Sequence, residues 1–105
     1  MLQHVVLFSF PQDLSDEDWA DMQRQVRSWP TEIGGIDTIR LGPSINTERT
    51  RGYQYLLYME LADEEALVRY QQHPVHKQFL QWIIDHNCTP LAFDYYLTEE
   101  TVVLS

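Results

Sequence analysis

Cysteine is almost missing from this chain: Cys88 is the only one in 105 residues. An internal disulfide and a cysteine-based zinc site are therefore excluded, and a reducing, cytoplasmic location is the expectation. Positive charge is scarce too. Seven Lys and Arg stand against sixteen Asp and Glu, for a formal charge of −9. Such a field repels phosphate backbones and anionic lipid, and the few cations are scattered, so no nucleic-acid partner and no membrane-surface partner are expected. No eighteen apolar residues run together, and the opening segment has no basic stretch ahead of an apolar one. Neither a membrane span nor a secretory leader is expected. Repeats, linkers and low-complexity tracts are absent as well.

What is present is material for a core. The apolar fraction is 44%, with four Phe, three Trp and six Tyr, which is too rich for a disordered chain. The length suits one core and leaves no room for a second, so residues 1–105 are read as a single domain.

From Leu2 to Phe10 the chain alternates, with Leu2, His4, Val6, Phe8 and Phe10 on one face and Gln3, Val5, Leu7 and Ser9 on the other. Both faces are largely apolar, as in a strand covered on both sides. Ser15 followed by Asp16, Glu17 and Asp18 predicts a helix start, with acids where the helix dipole favours them. Trp19, Met22, Val26 and Trp29 give that helix a buried stripe, which Pro30 is expected to end. Gly34-Gly35 predict a turn, and Ile36 to Leu41 a second strand closed by Gly42-Pro43.

The polar stretch from Ser44 to Gly52, with Arg49 and Arg51, reads as a mobile loop. A third strand is expected from Tyr53 to Leu61. Asp63 caps a second helix that should yield at His73, because the residue before Pro74 is pushed out of the α region. Pro74 then opens a further helix, apolar at Phe79, Leu80, Trp82, Ile83 and Ile84 and ending near Asn87. The fourth strand carries Leu91, Phe93, Tyr95 and Leu97 in alternation, and Thr101 to Leu104 reads as a short β-prone tail.

The order is β-α-β-β-α-β with the second helical segment broken in two, an α+β arrangement of the ferredoxin-like kind. Four antiparallel strands with both helices on one face leave the other sheet face bare. Since the strands are apolar on both sides, that face is expected to pack on a second copy, making a homodimer.

Several side chains could carry chemistry. His4 lies among apolar neighbours, where an imidazole is more often a hydrogen-bonded core residue than a catalyst. The segment Tyr70-Gln71-Gln72-His73-Pro74-Val75-His76 is more informative, because the break lets the end of one helix and the start of the next face a common space. His76 then sits in a first helical turn, where the dipole disfavours imidazolium and leaves a neutral base. Tyr70 could donate its hydroxyl to a developing oxyanion. From spacing alone, a histidine of the first helical turn and a tyrosine packed in the core are the favoured description of the same residues.

Taken together, His4 opening the strand His-Val-Val-Leu-Phe-Ser-Phe, Gly52-Tyr53 before the third strand, Tyr70-x-x-His73-Pro74-x-His76, and Asp94-Tyr95 in the last strand resemble the stress-responsive A/B barrel (Dabb) family. The resemblance runs nearly end to end. It implies a dimeric α/β barrel, with a small-molecule pocket in each subunit between sheet and helices. One plant member closes a linear polyketide by intramolecular aldol condensation. Carried over by motif position, this implies a cofactor-independent lyase or cyclase with His76 as base and Tyr70 as oxyanion donor. It also places His4, His73, Tyr53 and Asp94 at the ligand pocket, with no metal. Bulky Trp19, Met22, Tyr53 and Tyr58 are expected to narrow that pocket.

Two other readings stand beside the enzyme. One is a non-catalytic dimer that binds a small ligand or serves a stress-associated structural role. The other makes His4, His73 and His76 ligands of a divalent metal, with Asp94 or Glu60 as oxygen donor. His86 is assigned capping or surface duty, and Cys88 packing.

Overall fold

The computed structural model describes residues 1–46 and 48–104. Its elements run β1 (Leu2–Ser9), α1 (Asp16–Glu32), β2 (Ile36–Pro43), β3 (Tyr55–Leu61), α2 (Glu64–Gln72), α3 (Pro74–Asp85) and β4 (Thr89–Tyr96). The strands form one antiparallel sheet in the order β2-β3-β1-β4, with the helices on one face. This is the ferredoxin-like α+β fold expected from the pattern.

The local signals act as anticipated at the helix starts. The Ser15 hydroxyl accepts from the Asp18 N–H at 3.1 Å, and the Asp63 carboxylate from the Ala66 N–H at 2.9 Å. Each satisfies a donor that the first turn leaves unpaired. Gly34 and Gly35 follow α1 with φ of +75° and +70°, backbone that a Cβ would strain.

The core lies between the helices and the row Leu2, His4, Val6 and Phe8 of β1. From β3 it takes Tyr55, Leu57, Met59 and Leu61, and from the helices Met22, Val26, Trp29, Tyr70, Phe79 and Ile83. Opposite, the bare sheet face carries Leu56, Leu91, Phe93 and Tyr95 in exposed positions beside Val5, Leu7 and Tyr58. An apolar face of this extent on a small protein marks an interaction surface.

Several expectations are corrected, among them the end of the second strand, since β2 includes Gly42 and Pro43. Pro30 does not stop α1, which continues to Glu32. A proline this near the end removes one N–H from the last turn, while the Ile33 N–H still closes on the Trp29 carbonyl at 2.8 Å. Tyr53 and Gln54 precede β3 instead of opening it, because Gln54 uses its side-chain amide to bond the Phe10 backbone, at 2.8 and 3.0 Å.

β4 ends at Tyr96, before Leu97. The β-prone tail forms no strand: Thr101 closes a turn onto Thr98 and Tyr96, and Val102 to Leu104 are exposed. The 44–52 loop is organised by turns, with the Ser44 hydroxyl donating to the Asn46 carbonyl at 2.6 Å and the Glu48 N–H donating to the Asn46 side chain at 2.8 Å. Thr47, within that loop, lies outside the described residues.

Candidate functional site

The helices do not cover the whole sheet. Every residue of β4 is exposed, on the helix side as well as the open side. Its helix-facing row is set by register: Pro90 lies beside Phe8, Ala92 beside Val6 and Asp94 beside His4. The large apolar residues Leu91, Phe93 and Tyr95 take the other face. Small Ala92 and ring-closed Pro90 therefore leave space between β4, β1 and α3.

That space is a partly open cavity of about 340 Å³. Val6, Phe8, Leu57, Phe79, Leu80 and Ile83 make it apolar, and His4, Tyr70, Gln71 and His76 are its polar lining residues. The chain break at His73-Pro74 brings Tyr70 and His76 together. Tyr70 lies in the last turn of α2, His76 in the first turn of α3, and their ring centroids are 4.1 Å apart. The Tyr70 ring also meets His4 edge-on at 5.7 Å, and Trp29 packs against both Tyr70 and His76, at 5.4 and 5.7 Å.

The surroundings set the protonation states. Burial holds Tyr70 far above the ordinary tyrosine range, and the nearby Asp94 carboxylate pushes the same way, so its hydroxyl keeps its proton. His76 is lowered from the usual histidine value, mainly by burial and further by His4, against a hydrogen bond to Gln71 that favours its charged form. Desolvation acts in the same direction as the helix dipole expected from the sequence. His76 Nδ1 lies 3.3 Å from the Gln71 carbonyl oxygen. A carbonyl can only accept, so Nδ1 carries the hydrogen and the neutral ring keeps its lone pair on Nε2. His4 is held from behind, its Nδ1 paired with the Asp94 carboxylate directly across the strands.

Of the residues anticipated for the pocket, His4, Tyr70 and His76 line it, and three do not. Asp94 touches it only through His4 and itself borders a smaller hollow with Glu64 and Tyr96. His73 turns back to cap α3, its Nδ1 accepting from the Val75 N–H at 3.1 Å. Tyr53 lines a separate hollow with Arg49 and Arg51. Trp19, Met22 and Tyr58 do not narrow the cavity either: Trp19 stacks on Tyr55 at 4.7 Å, Met22 is core, and Tyr58 lies on the open face bonded to Gln3.

The three-histidine metal set does not assemble. Among the described residues no group of three or more His, Cys, Asp and Glu side chains is placed to hold an ion. Glu60, its suggested oxygen donor, instead accepts from the Gln3 amide at 2.9 Å. His86 does cap α3, bonding the Trp82 carbonyl at 2.7 Å, and burial pushes the Cys88 thiol up to about 11. The sequence reading missed the cavity's apolar wall. Its one available signal was the alternation of small Pro90 and Ala92 with large neighbours in β4.

The model of the family described as the stress-responsive A/B barrel domain matches residues 2–97. No curated protein matches the chain. Among solved structures it is similar to a protein from Arabidopsis thaliana, with 22% identity, TM-score 0.81, and 97% of this chain and 100% of that one covered. A dimeric ferredoxin-like protein of unknown function from Thermobifida fusca is 19% identical, with TM-score 0.77 and 91% and 90% covered. The hydroxynitrile lyase of Passiflora edulis is 11% identical, with TM-score 0.82 and 96% of each chain covered. At these identities the likeness is one of fold. No helix among the described residues is long and apolar enough to cross a membrane.

Proposed function

Since this chain belongs to the stress-responsive A/B barrel domain family, we propose that residues 1–105 act as one domain of a cytoplasmic homodimer. In this reading the copies join through the open sheet face, and each binds a small carbonyl compound beside Tyr70 and His76 as a cofactor-independent lyase or cyclase. The observation that carries it is the pairing of a buried neutral imidazole with a buried protonated phenol, 4.1 Å apart, on one apolar cavity. Dimeric ferredoxin-like neighbours support the assembly, and a lyase on the same fold supports the chemistry.

The step asked of the site is enolisation. His76 Nε2 takes a proton from the carbon beside a carbonyl, the electron pair of that C–H bond becomes the C=C bond of the enolate, and the carbonyl π pair moves to the oxygen. Tyr70 donates a hydrogen bond to that oxygen. In a cyclisation the enolate carbon then attacks a second carbonyl of the same molecule, and the new alkoxide recovers the proton from the imidazolium. Asp94 fixes the His4 ring at the cavity wall, where it positions the ligand.

The test is turnover of a linear 1,3,5-triketone. His76→Ala should abolish it, and Tyr70→Phe should lower it by about a hundredfold or more, the usual loss for an oxyanion donor. Unchanged turnover in both variants sinks the assignment. Binding of the triketone without turnover by the unaltered protein would instead select the non-catalytic, ligand-binding dimer.

A further inference from the structure

Resting on the proposed carbonyl pocket, we infer that the cavity selects an uncharged ligand: a compact ketone or aldehyde with an apolar body, to the exclusion of carboxylates and phosphates. Among the described residues no Lys or Arg lines the cavity. The chain's seven cations lie elsewhere. Arg49 and Arg51 border the hollow beside Tyr53, Arg40 stacks over Tyr58 on the open face, and Lys77 is exposed on α3.

Two features that could otherwise hold an anion are already engaged, and Tyr70 and Gln71 offer only uncharged donors. Any positive charge on His4 is matched by the Asp94 carboxylate at its back. The start of α3 would ordinarily present unpaired N–H groups. Pro74 has none and the Val75 N–H is taken by the His73 ring at 3.1 Å, while the Lys77 N–H bonds the His73 carbonyl at 3.0 Å, so of the first turn at most the His76 N–H is left to an anion. An entering carboxylate would surrender its hydration to walls of Val6, Phe8, Leu57, Phe79 and Ile83 and gain no Lys or Arg in return.

A neutral carbonyl fits the same features. Its oxygen accepts from the Tyr70 hydroxyl, and its body fills the apolar wall. The volume limits its size: at roughly 30 Å³ per water-sized group, the cavity holds on the order of eleven non-hydrogen atoms. A longer chain must leave through the open side.

The experiment compares 4-phenylbutan-2-one with 3-phenylpropanoate, a ketone and a carboxylate of equal size, by NMR titration of the His4 and His76 ring signals at neutral pH. The ketone should bind at least about tenfold more tightly. Ala92→Phe, on the exposed strand β4, should abolish ketone binding by filling the cavity, and Ala92→Lys should reverse the preference toward the carboxylate. Equal or tighter binding of the carboxylate to the unaltered protein overturns this inference and leaves the pocket standing. If neither compound binds, or Ala92→Phe changes nothing, the pocket reading itself falls.

Discussion

Tyr70 and His76 take opposite protonation states from one cause. Burial raises the phenol and lowers the imidazole, so at neutral pH one is a donor and the other a base. For His76 this sets the sign of a pH dependence. Its folded value lies below the unfolded 6.5, so above pH 6.5 both states are neutral and the full stability is present. Below pH 6.5 the unfolded chain takes up a proton that the fold refuses, and stability falls until the pH has passed the folded value. His76→Gln should flatten this acid limb in urea titrations between pH 4 and 7; an unchanged limb would place its origin elsewhere. The acid limb of any turnover should likewise lie below 6.5. At this scale the family resemblance singled out the pair where spacing alone favoured core residues, and the helix dipole was the only cause legible for a lowered imidazole, because burial depends on packing partners distant in the chain.

Elements decide which residues share the cavity. The break between α2 and α3 is local chemistry: Pro74 excludes His73 from the helical region, and the His73 side chain then caps α3. His73→Ala should therefore cost about 1 kcal/mol of stability, as a lost N-cap does, and leave ketone binding unchanged. A shift in the urea midpoint reads the first effect, and NMR titration with the ketone the second. Loss of binding at preserved stability would return His73 to the pocket. The break was legible in the dipeptide itself, whereas the cap was not, because a side chain's direction in a connection depends on what the two helices pack against. Pro30 shows the converse. Its residue type predicts a stop, but α1 is held by Met22, Val26 and Trp29 against the core and runs on to Glu32.

For the whole molecule the open sheet face is the dominant feature. Phe93 is 66% exposed and Leu91 50%, beside Leu56, Leu7 and Val5. In the proposed homodimer this face supplies the buried apolar centre that stable interfaces require, in a contact of about 1,200–2,000 Å² or more. Phe93→Asp should place an unpaired charge there and convert the dimer to monomer in analytical ultracentrifugation. Phe93 points away from the cavity, so the monomer should keep its helical circular dichroism. A variant that stays dimeric would move the interface off this face.

The sequence by itself determined the element order, the helix starts, the broken second helix and the presence of two apolar sheet faces, because each is written in residues a few positions apart. Only the tertiary structure decided which groups meet. Pairing β4 with β1 set Asp94 behind His4 and small Ala92 beside Val6, opening a cavity that no local pattern specifies. The same pairing turned Phe93 outward, while packing elsewhere sent Tyr53 to another hollow and left His73 as a cap. Period-two alternation shows that a strand has two faces; register and layer packing decide which of them closes over the site.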